Sequence, residues 1–111
     1  MDESQIQPPP SFLALFASPS GHRLLQPIAF VRERYELCED LAQMLTERAS
    51  AEQFRSGAGE RNVLESMELA LSQEGSPVQP EEASWVVRRL AELLDWEFPA
   101  STPSPSGRGL G

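Results

Sequence analysis

The residues with the chemistry to support catalysis are few, and their spacing defeats the common arrangements. His22 is the only histidine and follows Ser18-Pro19-Ser20-Gly21, a turn sequence. One copy of the chain therefore cannot assemble a Ser-His-Asp, Cys-His or His-Glu-x-x-His constellation. Cys38 is the only cysteine, which excludes an internal disulfide. Beside Glu39 and Asp40 its thiolate would be disfavoured, so it fits a small buried hydrophobe better than a nucleophile. Glu33, Glu36, Asp40 and Glu47 form a carboxylate row that could be half of a di-metal site. Such sites follow a glutamate with a histidine three residues on, and this row has none, so it suits a solvated face or an electrostatic docking surface. Neither GxGxxG nor GxxxxGK occurs. The expectation is a protein without enzymatic activity, cofactor or metal.

Binding chemistry is better represented. Phe30, Leu37, Leu41 and Met44 fall on one side of a helix that already has a complete core stripe, so they are candidates for contact with another chain. Trp85 and Trp96 are about three helical turns apart with Arg89 between them, and they project roughly 140° from the centre of the Val86, Leu90, Leu93 stripe. Tryptophan and arginine are the residues most enriched in interface hot spots, which makes Trp85, Arg89 and Trp96 a second candidate face. The competing reading is that the chain before the helices covers Trp85 and the chain after them covers Trp96.

These residues need long helices to position them. Ile28, Val31, Tyr35, Cys38, Ala42, Leu45 and Ala49 follow alternating spacings of three and four, one stripe of an α-helix beginning at Pro27. Phe30, Leu37, Leu41 and Met44 make a stripe roughly 100° around from it. That helix is expected to end near Ser50, where Ser50-Ala51-Glu52-Gln53 has the form of a capping box and starts a short helix or a kinked extension through Phe54. Gly57-Ala58-Gly59 breaks the chain. A second helix is predicted over about 60–73, with Val63, Leu64, Met67, Ala70 and Leu71 inward. Pro80, followed by Glu81 and Glu82 in the first turn, opens a third helix to about Trp96, with Ala83, Val86, Val87, Leu90, Leu93 and Leu94 as its core face.

The fold expected is all-α: a small three-helix domain over 27–98 with a long first helix, a flexible proline-rich arm over 1–26 and a disordered tail over 99–111. Within the arm, Ser11-Phe12-Leu13-Ala14-Leu15-Phe16-Ala17 is an apolar island able to form one or two helical turns, and it needs something to cover. A chain of 111 residues with that much polar terminus holds only a marginal core, so self-association is a natural supplement. The net charge of −8 and pI near 4.5 argue against direct nucleic-acid binding, which draws its affinity from basic residues on phosphates. All nine basic residues are arginine, most simply a coding bias. The Met-Asp-Glu start lacks the basic and apolar regions of a signal peptide, and no apolar run has membrane-spanning length, so a cytoplasmic location without membrane contact is expected.

The stretch Ile28-Ala-Phe-Val-Arg-Glu-Arg-Tyr-Glu-Leu-Cys-Glu-Asp-Leu, in a short, acidic, lysine-free helical chain with a two-faced helix, resembles the QslA-type quorum-sensing anti-activators. That resemblance implies a homodimer that binds a LuxR-type acyl-homoserine-lactone receptor and blocks its dimerisation and DNA binding. Two other functions fit a small acidic chain. A secretion or assembly chaperone would bind an extended client segment; a DNA-mimicking inhibitor would present its carboxylates as phosphates. The second fits less well, because the carboxylates occupy one helical arc and the interface-grade residues are mostly apolar.

Overall fold

A computed structural model describes residues 7–96. The tail expected over 99–111 and the first six residues of the arm lie outside the described residues. The architecture is all-α: a short helix α1 (Pro10–Leu13) running into a 3-10 turn (Ala14–Phe16), a long helix α2 (Ile28–Ser56), α3 (Glu60–Leu71) and α4 (Pro80–Leu94). No described helix is long and apolar enough to cross a membrane.

Helix α2 runs 29 residues without the interruption expected at Ser50. The capping box expected at Ser50-Ala51-Glu52-Gln53 lies inside the continuous helix, where Glu52 pairs with Arg55 one turn on and the Ser56 hydroxyl donates to the Glu52 carbonyl at 2.7 Å. With Ala49 fully buried on the core side, the helix gains more by continuing than by restarting. It stops at Gly57, whose φ of 73° turns the chain left-handed while its amide donates to Gln53.

The inward stripe of α2 is small where α4 crosses it. Val31, Cys38, Ala42 and Ala49 are all fully buried, and the short side chains let the helix axes approach. From α4 come Ala83, Val86, Val87, Leu90 and Ala91, and from α3 Val63 and Leu64. Two clusters result. One joins Phe12, Val31, Cys38, Ala42, Val78, Ala83, Trp85 and Val86; the other joins Ala49, Val63, Leu64, Val87, Leu90 and Ala91. Ile28, expected at the head of the inward stripe, is exposed because the stripe reaches past the end of α4 there.

One buried polar group locks α2 to the α3–α4 connection. Glu82 closes a capping box at the start of α4, accepting from the Gln79 amide at 2.8 Å. It also accepts from Arg34 Nε at 2.8 Å and Nη2 at 2.6 Å, while Nη2 donates to the Pro77 carbonyl at 3.0 Å. Burial pushes the Glu82 carboxyl up, but the Arg34 hydrogen bonds, the Gln79 amide and the Arg34 charge outweigh it and hold the group below the ordinary carboxylate value.

Candidate functional site

The arm changes the assignment of α4. Phe12 is fully buried, wedged 5.1 Å from the Trp85 ring and 5.5 Å from Tyr35, both edge-on, with Phe16 5.5 Å away. The indole Nε1 of Trp85 donates to Ser11 Oγ at 3.0 Å. Trp85 is 8% exposed, a core residue. The expectation that it faces a partner is corrected in favour of the competing reading, that the chain before the helices covers it: α4 has a third neighbour, the apolar island, where a helical wheel of α4 alone leaves a free face.

Trp96 does not share a direction with Trp85 either. Asp95 adopts a left-handed conformation at φ 60°, so α4 ends at Leu94 and the Trp96 amide folds back to the Ala91 carbonyl at 2.8 Å. The helical extrapolation that aligned the two tryptophans fails at this turn. Trp96 is half-buried against the second cluster, with Leu94 and Ala58.

Arg89 is held in place. Its Nε and Nη2 donate to the two Glu39 oxygens at 2.9 and 3.1 Å, and Nη1 donates to Glu92 at 3.0 Å. The Arg89 hydrogen bond is the main reason the Glu39 carboxyl lies below its ordinary value, against a smaller opposing effect of burial. The pair ties α2 to α4 beside Tyr35, whose phenol is pushed up by burial and by the Glu39 charge. Trp85 and Arg89 line one pocket with Pro9, Ser11 and Tyr35, while Trp96 lies against the second cluster, so the three do not form one surface.

The α2 residues do. Phe30, Leu37 and Met44 are exposed, Met44 to 70%, while Leu41 is half-buried with its base in the first cluster. A seven-residue interval on an α-helix drifts only about 20°, so these side chains form a nearly straight apolar line down the outside of α2. Phe16 extends the line at its N-terminal end, its ring edge-on to Phe30 at 6.1 Å.

A second apolar surface was not picked out from the sequence. A groove of about 400 Å³ opens between α2 and α3, its apolar lining of Leu45, Val63, Met67, Ala70 and Leu71 joined by the charged Arg48 and Glu52. Its signal was present in the small residues Ser66 and Ala70, which lie four apart on α3 and leave the groove unfilled. Leu69, beside this region on α3, is 66% exposed.

The remaining reactive groups fall outside these surfaces. His22 is exposed in the turn before α2. The Cys38 thiol is fully buried and pushed up to about 12, first by burial and then by the Glu82 charge, with Arg34 opposing. Among the described residues no group of three or more His, Cys, Asp or Glu is placed to hold a metal ion. Comparison with protein-family models, with curated proteins and with solved structures returns no match.

Proposed function

We propose that this chain is a non-catalytic regulator that inhibits a transcription factor by protein–protein contact, acting as an anti-activator of a LuxR-type receptor. It uses one apolar helix surface for its own dimer and another for the target. The observation that carries this reading is the exposed line of Phe30, Leu37 and Met44, large apolar side chains aligned on one helix with no covering element among the described residues. Soluble monomers rarely leave such a line in water. The α2–α3 groove supplies the second surface, with an amphipathic helix of the target as its proposed occupant. The mechanism is steric: the target's dimerisation helix is occupied, and the receptor, bound as a monomer, no longer spans its two operator half-sites.

The test is titration calorimetry of the full chain into the ligand-binding domain of a LuxR-type receptor, paired with a gel-shift assay of the intact receptor on its operator. Met44→Glu on the line and Ala70→Glu in the groove each place a charge at an exposed position. One of them is expected to weaken receptor binding by about tenfold or more and to relieve inhibition of operator binding. An apolar contact also predicts weak salt dependence of affinity, whereas a phosphate mimic would lose affinity steeply with salt. Absence of binding heat at two well-separated temperatures, with operator binding by the receptor undiminished, would end the proposal.

A further inference from the structure

The apolar line on α2 has a charged companion with the same period. Glu33, Asp40 and Glu47 stand three residues after Phe30, Leu37 and Met44 respectively. A three-residue step places each carboxylate about 60° around the helix and about 4.5 Å along it from its apolar neighbour. The shared seven-residue repeat keeps the two lines side by side from Phe30 to Glu47, about 26 Å. All three carboxylates are exposed, with exposed Glu36 beside them. Among the described residues none of the four has an ion-pair partner, whereas Arg34 is paired with Glu82, Arg55 with Glu52, and Arg89 with Glu39 and Glu92. Of the other α2 arginines, Arg32 is half-buried near the N-terminal end and Arg48 lines the α2–α3 groove, so among the described residues no cation runs along the row.

From this we infer that the outer face of α2 is a docking surface for a basic amphipathic helix, one whose own seven-residue apolar repeat is flanked by lysine or arginine. Charge complementarity selects the occupant: unpaired carboxylates along an apolar line, in a chain of net charge −8, attract a cationic helix and reject an acidic one. A helix matched in period follows both lines for nearly five turns, wrapping left-handed. Its apolar side chains meet Phe30, Leu37, Leu41 and Met44, and its cations lie over Glu33, Asp40 and Glu47 as flanking charges do in a coiled coil. The apolar contact carries the affinity and the carboxylates carry the choice of partner. No described helix of this chain offers such a row, because Arg61 on α3 is paired with Glu65, and Arg88 and Arg89 on α4 are both engaged. A second copy therefore holds this face by apolar contact alone, and a basic helix, which adds the charge contacts, displaces it. The inference is independent of the receptor reading, which seats the target in the groove.

Fluorescence anisotropy with labelled synthetic peptides and the full chain tests this. The probe is a peptide of about three heptads with leucine at the a and d positions and lysine at e and g; its twin carries glutamate at e and g. The lysine peptide is expected to bind with a Kd in the micromolar range at low salt, and about tenfold more weakly or worse at about 0.5 M salt. The glutamate twin should bind at least about tenfold more weakly than the lysine peptide at low salt. Asp40→Arg combined with Glu47→Arg should cost the lysine peptide about tenfold and improve binding of the twin, and Met44→Ser should weaken the lysine peptide by about threefold or more. Glu74→Arg combined with Glu81→Arg makes the same change of net charge at exposed positions on other elements, and should leave the lysine peptide within about threefold of the parent. A loss there as large as in the α2 pair would overturn the inference, because net charge alone would then draw the peptide. Equal binding of the two peptides, or no binding of the lysine peptide at about 100 µM, would overturn it as well.

Discussion

Phe12→Ala tests whether the chain before α2 belongs to the core. Phe12 is fully buried and meets the Phe16, Tyr35 and Trp85 rings at 5.5, 5.5 and 5.1 Å. Truncating a phenylalanine in such a site costs about 3–5 kcal/mol, from lost transfer energy and from the cavity left behind. A domain of this size has about 5–10 kcal/mol in total, so the variant would lose a third or more of its stability. At about 4 °C or more per kcal/mol, the thermal midpoint should fall by at least ~12 °C. Calorimetry with far-UV circular dichroism reads the midpoint, and tryptophan emission reads whether Trp85 becomes wet. Ser11→Ala, which removes only the acceptor for the indole N–H, should cost about 1 kcal/mol. Phe54→Ala, at a side chain 91% exposed, should stay within about 0.5 kcal/mol. A Phe12→Ala midpoint within about 3 °C of the parent would show that the arm merely rests on the helices, and the burial argument for Trp85 would fall with it.

Leu90→Ala removes a fully buried side chain of α4 and should cost about 2–5 kcal/mol in urea unfolding. Trp85→Ala is expected to belong with it, and not with surface substitutions, because the indole fills the site between Phe12 and Tyr35. Glu82 has a depressed pKa in the folded chain. Its contribution is therefore present above the unfolded value near ~4.3 and is lost as pH falls below it through the folded value. The midpoint of the parent should drop on acidification from pH 5 to pH 3, and Glu82→Gln should start lower and show a flatter dependence over that range. With its pKa near 12 and no exposure, Cys38 should resist an aromatic disulfide reagent at pH 8 in the native protein and react within minutes in denaturant. Rapid native labelling would contradict the packing of α2 on α4.

The helices were legible because each carries its own period. Val31, Cys38, Ala42 and Ala49 on α2 and Val86, Val87 and Leu90 on α4 are buried as their spacing requires, and Pro80 and Gly57 mark boundaries through backbone conformation. What escaped was decided between elements. The island at Phe12 is too short to show a period, so its covering of the Trp85 face stood only as one of two readings until the elements were set together. The pairs Arg34–Glu82 and Arg89–Glu39 join residues 48 and 50 positions apart, a correspondence that one sequence does not reveal. Leu37 and Met44 were recognisable as a surplus stripe because α2 had already spent its other face on the core. The α2–α3 groove leaves a trace in the sequence, the small residues Ser66 and Ala70, but only the two helices set side by side show that this missing volume stays open.

The docking of the arm also sets an order of events during folding. Helices α2, α3 and α4 are joined by short connections, and packing α2 on α4 closes separations such as the 48 residues of Arg34–Glu82 and the 50 of Glu39–Arg89. The Ser11–Trp85 contact instead closes a separation of 74 residues, and the closure has no surface to land on until α2 and α4 present Tyr35 and Trp85 together. Capture of Phe12 is therefore expected as the final step of assembly and its release as the first step of disassembly. Substitutions at Phe12 should accelerate unfolding while leaving the refolding rate nearly unchanged, the kinetic signature of contacts absent from the transition state.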